Sequence, residues 1–349
     1  MYGYKFSSLA KIDPLDIPTD GSANQTLSLF GREDLIADIS GDYKSTSCVP
    51  LNRSIDLWPL IEEQARKTSV VIVNESHERS EHRGFTTELA RRLRAQGYDT
   101  LALETLSNPP SDIPTEFQPP FLKQPTLSYF DDADGHYLSE AGFGRMGRLA
   151  KEMGYQLLAY EALNDPETYA LPQGEQIARR EEEQARNITA FLKENPRARL
   201  IVHVGYSHAG EVPMPDGTKW MAARLKEMSG IDPLTISQTT CRGGSDTIQA
   251  AMLPASEPHG RFDFIIDHPS ARFEAHRPEW RKRTGDQQVP IAEALLPKKG
   301  WRVIEARPVG EPNTSVPMDR VAVRPGESVA LLLPPGRYTL RAIDVHAGQ

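Results

Sequence analysis

The sequence predicts an α/β fold, a mainly parallel sheet with helices on both faces, followed by a small C-terminal all-β appendage. Two observations predict it. Between residues 69 and 237, short β-branched runs alternate with stretches whose apolar residues recur every three or four positions. Beyond about residue 262 that helical spacing stops, and strand-like runs are separated by Pro-Gly turns.

Residues 1–50 are rich in Pro, Asp, Gly, Ser and Thr and show little apolar periodicity, so an extended arm lying on the body is expected. Residues 51–250 form the α/β domain. Its first strand, 69–74, is a β-branched run suited to burial on both faces, and Phe85, Leu89 and Leu93 mark the helix after it, with Gly97 as its C-cap. A second strand, 100–104, precedes a long insertion, 106–142, that holds six prolines by Pro125; insertions of this length are usually functional or disordered. Phe143, Met146, Ala150 and Met153 then mark a second helix, and residues 156–161 a third strand. Ile177, Gln184, Ile188 and Phe191 line one face of a helix over 176–194 that Pro196 ends, before a fourth strand at 199–204. A short helix over 220–228 and a fifth strand at 233–237 complete the domain, and residues 260–349 form the β-rich region, sandwich-like or added to the sheet.

Composition narrows function. The chain has 349 residues, 38% hydrophobic and 25% charged, and no run approaches the ~18 apolar residues of a membrane span. Its net charge of −8 provides no overall basic field for a phosphate backbone, so nucleic acid is not an expected partner; a small-molecule or peptide substrate is. Cys48 and Cys241 are the only cysteines, too few for a thiolate zinc site: they are two buried thiols or one disulfide, and a disulfide would imply an oxidising compartment. The first residues carry no charged-then-apolar export signal, so the expected location is periplasmic or secreted if a signal has been removed, and cytoplasmic otherwise.

The candidate site comes from what ends each buried strand. Strand one runs into Glu75 and His77, strand two ends at Glu104, strand three at Tyr160 and Glu161, and strand four runs on to His208. Ligands of open parallel sheets bind beyond the carboxyl ends of the strands, so these side chains are expected to converge on one crevice. Glu104 and Glu161 follow apolar runs directly, and carboxylates at such a desolvated rim need a cation or donor. Arg180 is the candidate donor, with Arg179 beside it; the alternative is helix ion pairing with Glu182 or Glu183. Glu75, His77, Glu104 and His208 form a mixed imidazole and carboxylate set suited to zinc, manganese or iron, or His77 and His208 act on water without metal. His82 enters the following helix and is a second choice, and His203 inside strand four reads as a satisfied core histidine. There is no Gly-x-Ser-x-Gly elbow, phosphate loop, His-Glu-x-x-His helix or dinucleotide fingerprint.

The segments Val71-Ile-Val-Asn-Glu-Ser-His77 with His82, Leu101-Ala-Leu-Glu104, Arg179-Arg-Glu-Glu-Glu-Gln-Ala-Arg-Asn-Ile188 and Val202-His-Val-Gly-Tyr-Ser-His208 together resemble the erythromycin esterase and ChaN-like superfamily, which includes the TraB and Tiki proteins. The resemblance spans roughly residues 65–240, and Asn74 stands where that pattern usually has Gly. It implies a shared α/β fold and carries Glu75, His77, Glu104, Arg180 and His208 over as site residues. It does not imply one chemistry: members look like ester hydrolases, metal-dependent proteases, or binders of haem or iron.

Three readings follow. In the first, a hydrolase, His77 or His208 activates water directly or through a metal, Arg180 steadies the oxyanion and Glu104 orients or ligates. In the second, the same crevice holds haem or iron without turnover, the insertion closes over it, and Tyr129, His136 and Tyr137 add contacts. In the third, the β region is an interaction surface. The substrate-binding candidates are Glu161, Tyr160, Tyr137 and His82.

Overall fold

The computed structural model describes residues 2–18, 20–46, 48–51, 56–163, 166–283 and 285–345. Strand burial sets the architecture. β1 (Val70–Glu75), β2 (Thr100–Leu103), β4 (Leu200–Gly205) and β5 (Leu234–Ser237) are buried at every position, and with β3 (Gln156–Leu158), β6 (Gln249–Ala251) and β7 (Phe264–Asp267) they form a seven-stranded sheet. Its order is β3-β2-β4-β1-β5-β7-β6, with every pair parallel except β6 against β7.

Side chains alternate across the pleat into two cores. Val71, Val73, Leu101, Leu103 and Ile201 face α3 (Leu57–Ala65), α4 (Ser80–Leu93) and α6 (Ala141–Glu152); Val70, Ile72, Leu200, Val202 and Val204 face the other way, toward the long helix of residues 173–194 and that of 221–229. The fold is therefore α/β with helices on both faces, as the sequence predicts. The connection leaving β1 runs past β4 to β2, whereas the one leaving β4 runs past β1 to β5. Right-handed crossovers in opposite directions lie on opposite faces, which opens a crevice between the carboxyl ends of β1 and β4.

One part departs from expectation. The first fifty residues are not an extended arm: they contain α1 (Tyr2–Ala10), α2 (Gly21–Leu29) and two 3₁₀ turns, Glu33–Leu35 and Gly41–Tyr43. Leu9, Leu27, Phe30 and Ile36 give these elements an apolar face, and they bury it against Trp301, Val303, Ala322 and Val345 of the C-terminal region. The run near residue 264 takes the second of the two expected arrangements, added to the sheet, because β7 extends the large sheet beside β5.

The rest of the C-terminal region is antiparallel. β8 (Phe273–Glu274) pairs with β9 (Arg277–Pro278), β10 (Gln287–Pro290) with β13 (Ala330–Leu333), and β12 (Asp319–Val323), β11 (Trp301–Pro308) and β14 (Tyr338–Val345) form a three-stranded sheet. Buried charges join it to the α/β domain. Arg320 reaches Glu305 and the Ser139 carbonyl, Arg145 of α6 lies 2.8 Å from Asp286, and Arg277 and Arg281 both engage Asp319 at 2.7 and 2.6 Å.

Cys48 and Cys241 form a disulfide, with 5.8 Å between their Cα atoms and 193 residues between them in sequence. A cross-link closing so long a loop restricts the unfolded chain. Cys48→Ser is expected to cost about 2–4 kcal/mol in denaturant unfolding. Reductant should bring the parent protein down to the variant and leave the variant where it is; a reductant effect on the variant would assign the loss to another cause.

Candidate functional site

Register brings the site together. Glu75, the last residue of β1, pairs with Gly205, the last of β4, and Leu103, the last of β2, pairs with His203. β1 and β4 end at the same level and β2 two residues earlier, so His77, Glu104 and His208 enter the crevice from three adjacent strands.

Glu75 is completely buried, and burial alone would push its carboxyl up. Arg83 of α4 lies 2.8 Å from Oε2, and with His203 and His77 it holds Glu75 well below the usual carboxylate range. The ionised Oε1 sits 2.9 Å from His77 Nδ1, which fixes that ring; His203 Nε2 is 3.3 Å from Oε2. His77 is one-fifth exposed. Its ring stands 4.6 Å from that of Tyr137 and 5.2 Å from that of Tyr206, and Nε2 has no hydrogen-bond partner among the described residues.

Glu104 is the second anchor. It accepts from the Gly205 N–H at 2.6 Å, from Tyr137 Oη–H at 3.1 Å, and from Arg180. Burial opposes its charge, but the fields of His208, Arg180 and His77 bring it down to about 2. Arg180 lies on α8 (Gln173–Glu194), two turns in from the start, and also grips Glu161, whose carboxylate takes 3.1 Å bonds from Gln184. α7 (Pro166–Tyr169) precedes this helix.

His208 is the counterpart of His77. Its Nδ1 lies 2.6 Å from Glu181 of α8, and its Nε2 lies 3.2 Å from Arg180 Nη1 and 3.7 Å from Glu104. Burial lowers its proton affinity, but the Glu181 and Glu104 carboxylates outweigh that and raise it. Glu181 is itself fixed by the backbone N–H of Met221, at the start of α9 (Met221–Ser229). The crevice thus holds two carboxylate-oriented imidazoles with a guanidinium beside the second.

A strap from the N-terminal region forms one wall. Asp42 accepts from the hydroxyls of Tyr206 and Ser76 at 2.9 and 2.5 Å. Arg242 holds the strap through the Lys44 and Gly41 carbonyls, and the disulfide lies a few residues beyond. Tyr206 sits at φ 37, a costly conformation for a side chain of its size, and Asn74 stabilises it by donating to its carbonyl. The same Asn74 amide accepts from the Gln238 N–H at 2.6 Å, which ties β1 to the loop after β5 and gives the side chain at this position its use.

Of the sequence-predicted residues, Glu75, His77, Glu104, Glu161, Arg180, His208 and Tyr137 come together. Two do not reach the crevice. His82 is buried, kept neutral by burial and by Arg79, and its Nδ1 accepts the Ser76 N–H, so it braces the turn. Tyr160 is buried and donates to the His203 carbonyl at 2.9 Å. His203 is the core histidine expected, paired with Glu75. Arg180 binds Glu104 and Glu161 rather than Glu182 or Glu183. Tyr129 has Asp131 and Glu311 as its charged neighbours, not the site carboxylates. Arg83, Glu181, Asp42 and Tyr206 were not singled out by the sequence; the only signal for Glu181 was its place beside Arg180.

The four metal candidates do not form a cation cage. Glu75 Oε1 and both oxygens of Glu104 accept internal hydrogen bonds, Arg83 lies 2.8 Å from Glu75 Oε2, and no group of three or more His, Cys, Asp or Glu among the described residues is arranged to hold a metal ion. No helix among the described residues is long and apolar enough to cross a membrane.

No family model matches the chain, and neither does any curated protein. Two solved structures share its general form. The type III effector HopBA1 matches with a TM-score of 0.38 and 13% identity, over 66% of this chain and 99% of its own. The ChaN protein of Campylobacter jejuni, described for cofacial haem binding, matches with a TM-score of 0.35 and 11% identity, over 61% of this chain and 91% of its own. The likeness is one of fold, and a loose one.

Two expectations follow. A Cβ at position 205 would lie 2.8 and 2.9 Å from His77 ring atoms and 3.2 Å from the Glu104 carboxylate, so Gly205→Ala should cost about 1–3 kcal/mol in thermal unfolding, while Gly174→Ala, in open space, should cost nothing. Equal melting of both variants would refute the crowding. A Glu104 carboxyl at about 2 in the folded state, against 4.5 unfolded, contributes stability that is complete above pH 4.5 and lost as pH falls toward 2. Glu104→Gln should therefore be less stable at pH 7, on the order of 3 kcal/mol, and the gap should close between pH 4.5 and 2. A gap independent of pH would remove the electrostatic account.

Proposed function

We propose that the protein is a hydrolase that adds water to a carbonyl, of the ester class, with His77 as the general base. The observation that carries this reading is the partly exposed His77 imidazole, whose Nδ1 is held at 2.9 Å by an ionised, buried Glu75 while Nε2 is left without a partner among the described residues. That arrangement selects one tautomer and offers the other nitrogen to water.

In the proposed step, Nε2 takes a proton from water as the water oxygen bonds to the substrate carbonyl carbon. The carbonyl oxygen gains negative charge and is met by Arg180, whose guanidinium already sits at the crevice. His208, made more basic by Glu181 and Glu104, gives a proton to the leaving oxygen as the tetrahedral intermediate collapses. Glu75, Arg83, Glu181 and Glu104 position these groups. Every group in the step is one of the chain's own side chains.

Haem binding is the second reading. The exposed His136 and Tyr169 line one cleft beside the site and offer an imidazole and a phenol, ligand types that haem iron accepts. The Cys48–Cys241 disulfide supports a working place in an oxidising compartment, periplasmic or extracellular.

His77→Ala and Glu75→Gln are each expected to lower kcat on a panel of nitrophenyl esters, His77→Ala by roughly 10²–10⁴-fold, with circular dichroism unchanged for His77→Ala. Activity that survives His77→Ala would sink the general-base assignment. A Soret band that saturates at one equivalent of haemin and disappears in His136→Ala, in a protein inert toward every ester, would establish the second reading instead.

A further inference from the structure

A cleft of about 430 Å³ opens next to the catalytic groups, within the ~300–1,000 Å³ range of small-molecule sites. Arg180 and Glu161 form its inner end, so it is continuous with the crevice that holds His208 and Glu104. One wall is α8, where Gln173, Gln176, Ile177, Arg180 and Glu183 recur at three- and four-residue spacing on one helix face. Glu161, Ala162, Leu163, Thr168 and Tyr169 line the opposite side, and His136 comes in from the 106–142 insertion.

Three large apolar side chains in this cleft are left in solvent: Leu163 is 39% exposed, Ile177 37% and Tyr169 64%. Single exposed apolar residues are ordinary, but three converging beside a polar centre leave an apolar surface that a ligand would cover. Two guanidiniums, Arg179 and Arg180, and two carboxylates, Glu161 and Glu183, line the cleft. Arg180 is paired with Glu104 and Glu161, and Glu183 accepts from the Leu163 N–H at 2.9 Å. Arg179 is exposed and has no carboxylate partner among the described residues. An apolar wall with one guanidinium free to pair fits a molecule with an apolar body and an anionic group.

We infer that this cleft binds a substrate whose acyl or aryl portion lies on Leu163, Ile177 and Tyr169 and whose carboxylate pairs with Arg179. The inference rests on the hydrolase reading only in naming the occupant a substrate; the binding site itself stands on the cleft. Arg179 is then a specificity residue that selects anionic over neutral molecules of the same length, without a part in bond breaking.

The test is equilibrium binding by calorimetry with octanoate and octanamide as probes, using the full chain, Arg179→Ala, Arg179→Lys, Ile177→Ser and His77→Ala. Octanoate is expected to bind the parent protein at least tenfold tighter than octanamide. Arg179→Ala should erase that preference, Arg179→Lys should keep most of it, and Ile177→Ser should weaken both probes. His77→Ala should bind both as the parent does, which separates the cleft from the chemistry. If esters are turned over, Arg179→Ala should raise KM about tenfold for a nitrophenyl ester with a terminal carboxylate, with kcat kept and the neutral ester unaffected. Octanoate that does not bind, or binds equally to Arg179→Ala, overturns the inference even if His77-dependent hydrolysis is found; binding as expected in a protein that hydrolyses no ester leaves the cleft standing and removes the hydrolase.

Discussion

The buried pair of Glu75 and Arg83 is the interaction on which the rest of the site depends. A carboxylate with no exposure at the end of a central strand is costly, and it is tolerated only because a guanidinium, also fully buried, meets it from α4. The pair does three things at once. It fixes where α4 sits on β1, it keeps Glu75 ionised, and it leaves one carboxylate oxygen facing His77 at a set distance. Apolar replacements of buried ion pairs are often neutral in energy, but here the imidazole would then have no orienting partner, so what the pair supplies is position rather than stability.

The site draws on regions far apart in sequence. The insertion supplies Tyr137, the N-terminal region Asp42, α8 both Arg180 and Glu181, and the loop after β4 supplies Tyr206 and His208. Each is held from behind: Asp134 fastens the insertion by accepting from the Phe121 and Asp131 N–H groups, and Arg242 fastens the strap. Burial and multiple donors give the side chains little freedom, which is what a preorganised polar centre requires.

The sheet, its facing helices and the strand-end residues were legible in the sequence because burial on both faces of a parallel sheet writes itself as unbroken apolar runs, and the first polar residue after each run marks the crevice. Glu161 and Arg180 followed from the same logic. Other parts left no such mark. Glu181 sits among several glutamates of α8, and nothing local tells which of them meets His208. Arg83 looks like any charged helix residue until the sheet places Glu75 beneath it. The N-terminal helices were missed because their apolar face is short and is completed by strands some three hundred residues later, so propensity within the segment pointed to loop while tertiary packing decided otherwise.

That shared core has a consequence for how the protein is made. Phe6, Leu9, Leu27 and Phe30 are synthesised well before Trp301 through Val345, the strands that bury them. The α/β sheet can assemble in the interval, while the early helices keep their apolar side chains uncovered until those strands emerge. Asp42 follows the same helices in sequence, so one wall of the crevice is attached to a core that closes only after the strands of the large sheet have been made.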